Sequence, residues 1–383
     1  MKIGILGSGT MGISIAHFTA KNNCPTVVYD NSKENIKSSK KNLFKLLDKL
    51  NDKGKYTKED IKKIKKNLTF STDIKSLKSS ELIIEAIIEN LDLKKDIFSK
   101  IEKLVNEKCI ISSNTSSLSI TALASSLEKS ERFIGLHFFN PANLMPLVEI
   151  IPAIQTKKII TEKCKKFLEK LGKVVVLAKD TPGFIVNRVA RPFYGEAIRI
   201  YEEGIASIET IDWAMKELGG FRMGPFELMD FIGNDVNYKV TETVFEQFYF
   251  DPRYKPSFSQ KKLMEAGYFG RKSGKGFYDY NSKNQPEVSK NRELGKTIVI
   301  RILSMLINEA ADALYLNIAS KEDIDLAMTK GVNYPKGLLF WADEIGIENI
   351  YKTLESLKDT YNEDRYRPSP IFKTMLNSNK RFY

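Results

Sequence analysis

An α/β unit built on a doubly wound sheet, followed by two tandem all-α domains, is the architecture this 383-residue sequence predicts. Three observations carry that expectation. Up to about residue 180, short apolar runs alternate with amphipathic helical stretches, the pattern of a largely parallel sheet covered on both faces. From Phe184 onward the chain reads as almost entirely helical, with few β-branched runs. Part of that helical half then recurs once, at an offset of 113 residues.

The elements follow in order. Lys2–Leu6 is a short apolar strand that runs into Gly7-Ser8-Gly9-Thr10-Met11-Gly12 and a helix reaching about Asn23. Thr26–Asp30 is a second strand. Residues 33–66 read as two charged amphipathic helices around an Asn51-Asp52-Lys53-Gly54 break, an insertion into the first domain. Buried strands are expected at Leu82–Ala86, Cys109–Ser112 and Arg132–Leu136, with a helix over Leu91–Val105, and a last strand at Val174–Ala178. Thr181-Pro182-Gly183-Phe184 marks the change of character. The expected domains are residues 1–183, 184–282 and 290–383.

Charge is unevenly placed. The formal balance is +12, and residues 33–66 alone hold 13 Lys against 5 acids. A solvated lysine-rich face fits this stretch, and so does a patch that attracts a phosphorylated small molecule. Nucleic-acid binding is disfavoured, because no aromatic interleaving or reading motif accompanies the lysines. A composition of 42% hydrophobic and 28% charged residues is that of a folded globular chain. No apolar run approaches the ~18 residues of a membrane span, so no membrane role is expected. The N-terminus lacks the features of a signal peptide. Cys24, Cys109 and Cys164 stand apart from one another, which suits neither a disulfide framework nor a metal site and points to a reducing, cytoplasmic setting.

The glycine loop is the first chemical signal. It follows a strand, opens a helix at Thr10 and Met11, and has Asp30 ending the next strand 18 residues after Gly12, a Rossmann-like dinucleotide-binding arrangement. Gly7 permits the tight turn, Gly9 lets a pyrophosphate approach the backbone, and Gly12 lets helix and strand pack closely. The helix N-terminus presents N–H groups and a positive dipole end to the phosphates. Asp30 would accept from the ribose hydroxyls and repel a 2′-phosphate; with no Arg after it, NAD is favoured over NADP. His17, on the helix behind the loop, reads as a packed or rim residue.

That leaves His137 as the histidine available for proton transfer, at the end of an apolar strand in Gly135-Leu136-His137-Phe138-Phe139-Asn140-Pro141. Glu149 stands inside the apolar run Leu147-Val148-Glu149-Ile150-Ile151, where a carboxylate needs a partner. Two strands joined by residues 140–146 would bring it beside His137, the arrangement of an oriented general base. A satisfied strand-end histidine and an edge-strand glutamate fit the same residues. Ser112–Ser117 lies just past a strand's carboxyl end, where such sheets bind ligands, although hydroxyls there also serve as caps. Asn187, in the first turns of a helix after Pro182 and Gly183, is a candidate ligand-binding amide or an ordinary polar residue.

The segments Gly7–Gly12, Glu85–Asn90, Ser113–Leu118, His137–Pro141, Thr181–Arg188 and Gly270–Tyr278 together resemble L-3-hydroxyacyl-CoA dehydrogenases, particularly 3-hydroxybutyryl-CoA dehydrogenases, collinearly over roughly residues 1–280. The resemblance implies an NAD-dependent oxidation of (S)-3-hydroxyacyl-CoA with a catalytic pair at His137 and Glu149. It further implies substrate contacts from Ser116 and Asn187 and NAD contacts from Asp30, Glu89, Lys94, Asn114, Asn140 and Lys272. Lys53 takes the place of a family lysine that meets the CoA moiety. An inactive NAD-binding module and a hydroxy-acid dehydrogenase with a catalytic lysine are the alternatives, and the presence of His137, Glu149, Ser116 and Asn187 speaks against both.

The rest of the chain repeats the helical domain of that family's C-terminal type. Gly195-Glu196-Ala197 recurs as Asn308-Glu309-Ala310, and Asp230-Phe231-Ile232-Gly233 as Asp343-Glu344-Ile345-Gly346. The second copy has Ile300 where the first has Asn187, and it is expected to lack the Gly270–Tyr278 segment, so it is expected to be structural. The expected assembly is a monomer with an internal pseudo-dimer, or a homodimer.

Overall fold

The computed structural model describes residues 1–282 and 287–383, which divide into two compact units, Met1–Thr181 and Pro182–Tyr383. In the first unit the strands are β1 (Ile3–Leu6), β2 (Thr26–Tyr29), β3 (Leu68–Ser71), β4 (Leu82–Glu85), β5 (Ile110–Ser113), β6 (Phe133–Phe138), β7 (Leu147–Pro152) and β8 (Val174–Leu177). They form one sheet in the order β3-β2-β1-β4-β5-β6-β7-β8. Neighbours pair in parallel except β6 and β7, so the last two strands run against the other six. The helices are α1 (Thr10–Lys21), α2 (Lys33–Asp52), α3 (Lys58–Lys66), α4 (Leu91–Leu104), α5 (Ile120–Ala124) and α6 (Lys158–Lys170).

The sequence explains this sheet directly. β1, β4 and β5 are buried along their whole length, as apolar runs covered on both faces should be. The core runs from Ile3, Ile5 and Ile84 through Ile134 and Leu136 to Val148 and Ile150. The hairpin of α2 and α3 buries Leu43, Leu47, Ile61 and Ile64 and turns its lysines outward. Strand β3 is the strand the apolar pattern missed. It is a half-exposed edge strand of four residues, so neither of its faces shows a run.

In the second unit α7 (Val186–Val189), α8 (Arg191–Glu202), α9 (Ile208–Trp213), α10 (Pro225–Ile232), α11 (Asn234–Gln247) and α12 (Phe258–Glu265) precede α13 (Arg292–Tyr315), α14 (Lys321–Gly331), α15 (Leu338–Ile345), α16 (Ile347–Tyr361) and α17 (Pro370–Ser378). Helices α7 to α12 and α13 to α17 are two copies of one arrangement, with α7 and α8 together matching α13. They join through reciprocal buried ion pairs. Arg188 of the first copy bonds Glu309 of the second at 2.5 Å, and Arg301 of the second bonds Glu196 of the first at 2.7 Å. Tyr254 donates to Glu309 and Tyr366 to Glu196, at 2.6 and 2.7 Å. Each copy also holds a buried aspartate across the first turn of a helix. Asp212 accepts from the N–H groups of Phe226 and Glu227, and Asp325 from those of Leu339 and Phe340.

One sequence expectation is corrected here. The second copy does not lack the whole Gly270–Tyr278 segment. Asp230 accepts from the N–H groups of Phe277 and Tyr278, and its counterpart Asp343 accepts from those of Phe382 and Tyr383. Tyr278 and Tyr383 then donate their hydroxyls to Asp212 and Asp325. The Phe-Tyr end of the motif survives because it closes each copy; the preceding glycine turn is what has gone.

Arg301 meets Glu196, Glu203, Tyr361 and Tyr366. Arg301→Met leaves Glu196 buried without its cation, a loss of about 3–5 kcal/mol. The thermal unfolding midpoint should drop by on the order of 10 °C; an unchanged midpoint would show that these pairs do not hold the copies together.

Candidate functional site

The carboxyl ends of the parallel strands gather most of the residues singled out above. Gly7 adopts φ +99°, and a Cβ on Gly12 would fall 2.0 Å from Gly7 O, so neither tolerates a side chain. A Cβ on Gly9 would meet nothing within 4 Å. Gly9 is also the N-cap of α1, and no side chain caps that helix end. An open backbone and a helix N-terminus with no side-chain cap suit a pyrophosphate. The loop lies on a cavity of about 750 Å³ lined also by Asp30, Asn35, Ala86, Ile87 and Ile88. A dinucleotide therefore fits the residues present.

Asp30 directly follows β2 and lines the cavity. Its Oδ2 accepts from Ser8 N and Ser8 Oγ at 2.9 and 2.8 Å, and its Oδ1 from Ser32 N at 3.0 Å. Burial works against its charge, but the bonds from Ser32, Ser8 and Asn35 prevail and hold it below the usual carboxylate range. The same carboxylate thus fixes the glycine loop. Its Oδ1 keeps acceptor capacity, because the second bond there, from Asn35, is long at 3.4 Å.

The antiparallel pairing of β6 and β7 sets His137 directly opposite Glu149. Their side chains share a face, and His137 Nδ1 lies 2.6 Å from Glu149 Oε2 with both groups buried. The connection between the two strands carries Asn140, which is exposed. That connection is pinned at both ends: Ala142 N donates to Ser14 Oγ at 2.7 Å, and Lys173 Nζ donates to Met145 O at 2.6 Å and to Ala142 O. Burial presses the Lys173 pKa down to about 8.

A second buried network supports the loop after β5. Glu85, fully buried, accepts from Lys94 Nζ at 2.5 Å, Ser113 Oγ at 2.5 Å and Ile87 N at 2.7 Å. Lys94 also reaches Glu89 at 3.1 Å. Glu89 in turn accepts from Thr115 Oγ1, from Ser116 N at 3.2 Å and from Ser117 Oγ at 3.0 Å. Burial raises its pKa, but Lys94 and these bonds outweigh that and keep it ionised below the ordinary range. Asn114 Oδ1 accepts from Phe138 N at 2.8 Å, tying this loop to the residue after His137. Ser116 is half-buried.

Glu89, Lys94, Asn114, Ser116, His137 and Glu149 thus form one connected region of the first unit. Lys94 sits between two carboxylates at 1% exposure rather than on the surface. Lys53 follows α2 at the exposed tip of the helical hairpin. Asn187 and Lys272 belong to the second unit, where Lys272 pairs with Asp235 at 2.6 Å. Glu85 and Thr115 lie within segments singled out above but were given no role of their own there. Glu85 carries the same signal as Glu149, an acid within an apolar run (Leu82-Ile83-Ile84-Glu85). Among the described residues no group of three or more His, Cys, Asp or Glu is placed to hold a metal, and no helix is long and apolar enough to cross a membrane.

His17 is 1% exposed, with Nε2 3.2 Å from the Tyr56 hydroxyl. Burial, helped by Lys21, lowers its pKa to about 4. The unfolded chain, with His17 near 6.5, binds more protons between those values, so stability is lost as pH falls from 6.5 towards 4. The contribution is on the order of 3 kcal/mol. Chemical denaturation at pH 7 and pH 4.5 should show that loss, and His17→Gln should shrink it; an equal loss in the variant would acquit His17.

Residues 2–181 match the family model described as 3-hydroxyacyl-CoA dehydrogenase, NAD binding domain. Residues 183–280 and 298–381 each match its C-terminal domain. Curated relatives include the 3-hydroxyadipyl-CoA dehydrogenase of Escherichia coli K12, 34% identical over 97% of this chain and 96% of that protein. Another is the mitochondrial hydroxyacyl-coenzyme A dehydrogenase of Sus scrofa, 40% identical over 73% of this chain and 90% of that protein. Among solved structures, a 3-hydroxybutyryl-CoA dehydrogenase from Escherichia coli K12 superposes with a TM-score of 0.94 over 99% of both chains, at 33% identity.

Proposed function

The chain belongs to the 3-hydroxyacyl-CoA dehydrogenase family, an NAD-dependent oxidoreductase family, and on that footing we propose that His137 is the proton-transferring residue of the reaction. The substrate class is an (S)-3-hydroxyacyl-CoA, oxidised to the 3-oxoacyl-CoA as in fatty-acid β-oxidation or related short-chain acyl-CoA metabolism. The single observation that carries the proposal is the buried 2.6 Å contact between His137 Nδ1 and Glu149 Oε2. With Nδ1 committed to Glu149, exchange with the substrate's 3-hydroxyl falls to Nε2. His137 removes that proton, and Glu149 stabilises the imidazolium that forms. NAD held at the glycine loop would supply the acceptor for the hydride from C3. In the reverse direction protonated His137 donates to the 3-oxo oxygen. Ser116 and Asn187 hold the substrate about that oxygen.

Gly7, Gly9, Thr10, Met11 and Gly12 would hold the pyrophosphate, and Asp30 the adenosine ribose. Glu89, Asn114, Asn140 and Lys272 complete the NAD contacts, with Lys94 acting through the Glu89 carboxylate it braces. Lys53 meets the CoA portion from the hairpin tip. The second helical copy fills the place of a partner subunit, so the chain works as a monomer with an internal pseudo-dimer. Three cysteines without disulfides support a cytoplasmic setting.

His137→Gln should lower kcat for NADH oxidation by acetoacetyl-CoA by ~10²–10⁴ while NADH still binds, as read by fluorescence titration. Turnover near that of the wild type would remove His137 from the chemistry.

A further inference from the structure

Arg191, the first residue of α8, lies four residues after Asn187, and it is 7% exposed. Its Nε donates to Asn187 O at 2.9 Å, its Nη1 to Thr241 Oγ1 at 3.1 Å, and its guanidinium sits 5.0 Å from the Tyr194 ring. Among the described residues no carboxylate pairs with it. The other buried arginines of this unit each have one: Arg188 meets Glu309, Arg253 meets Asp312, Arg301 meets Glu196 and Arg365 meets Glu363. Burial presses the Arg191 pKa below its ordinary value, and only the Tyr194 and Tyr334 phenols oppose that. A buried guanidinium without a counter-charge is unfavourable until an anion reaches it.

The internal repeat acts as a built-in control. Positions that hold the two copies together are the same in both: Arg188 and Arg301, Glu196 and Glu309, Tyr254 and Tyr366. The surroundings of Arg191 are not. Asn187, Arg191 and Thr241 correspond to Ile300, Ser304 and Leu354, and among the described residues the Ser304 hydroxyl is buried with no hydrogen-bond partner. The backbone differs as well. In the second copy α13 runs unbroken, whereas in the first α7 ends at Val189 and a new helix begins at Arg191, with Pro192 in its first turn. A cation needed for packing would recur with the packing. This one is kept only where Asn187 is kept.

We propose that Arg191, with Thr241 beside it, receives the terminal carboxylate of a 3-hydroxydicarboxylyl-CoA, and so selects acyl chains that end in an anion. The assignment rests on the reading that Asn187 binds the substrate next to its reacting oxygen. Asn187 and Arg191 are four residues apart and joined by the bond from Arg191 Nε to Asn187 O, a separation that a few methylene groups span. Guanidinium and carboxylate then match through paired N–H···O bonds. A phosphate of the CoA portion offers the same anionic chemistry from the other end of the substrate, and the test separates the two.

Two substrates of equal length decide it: 3-oxoadipyl-CoA and 3-oxohexanoyl-CoA, which differ only in a terminal carboxylate against a methyl. The wild-type enzyme should favour 3-oxoadipyl-CoA in kcat/KM of NADH oxidation. In Arg191→Met that preference should fall by roughly 10–100-fold, chiefly through KM, with partial recovery in Arg191→Lys. A wild type that does not favour the dicarboxylyl substrate overturns the proposal without any variant. Equal losses on both substrates overturn it too, because a CoA phosphate contact or a mere brace for Asn187 would act on both alike. Failure to oxidise NADH with either substrate would instead strike at the dehydrogenase reading.

Discussion

Glu149 is a carboxylate with no exposure to solvent, and the imidazole of His137 is what makes its burial tolerable. An isolated charge in that position would be forced to neutralise or to find water. The partner is delivered by strand register: β6 and β7 are the one antiparallel pair in an otherwise parallel sheet, and they set His137 and Glu149 across from each other. A slip of one residue would turn both side chains to opposite faces. Everything nearby secures this register. Lys173 and Ser14 pin the connection between the strands, and Asn114 ties the residue after His137 to the neighbouring strand's loop.

The same physical device appears at Glu85. There a buried acid is matched by Lys94, which braces Glu89, which gathers the N–H and hydroxyl groups of residues 115–117. A flexible hydroxyl-rich loop becomes a fixed one because a chain of buried charges runs beneath it. In the second unit buried ion pairs do structural service instead, crossing between two copies of one helical arrangement in a reciprocal pattern. Such pairs add little net stability over apolar packing, yet removing one partner is costly, so they specify how the copies meet.

Much of this was legible in the residues. Gly7–Gly12 and Asp30 have a strong local grammar, and a lone acid in an apolar strand announces that it has a partner. The helical hairpin and the repeat were visible from spacing alone. What escaped notice depends on distant pairing. Strand β3 is short and half-exposed, so its own residues carry no pattern. Glu85 and Lys94 are nine positions apart on different elements, and only folding brings them to 2.5 Å. Arg188 and Glu309 are separated by 121 residues, and their reciprocity with Arg301 and Glu196 follows from how two copies pack. Phe382 and Tyr383 lie 39 and 40 residues from Asp343, which accepts from their N–H groups as Asp230 accepts from those of Phe277 and Tyr278.

The central claim is that Glu149 is in place to hold and charge-stabilise the His137 imidazole. Glu149→Gln keeps the shape and a hydrogen-bonding group while removing the charge, so it tests that claim with little disturbance to packing. Single-turnover oxidation of NADH with acetoacetyl-CoA should slow by on the order of 10²–10⁴ in this variant, with the affinity for NADH unchanged. A rate within a few-fold of the wild type would contradict the account, because the buried carboxylate would then be a structural partner of His137 and nothing more.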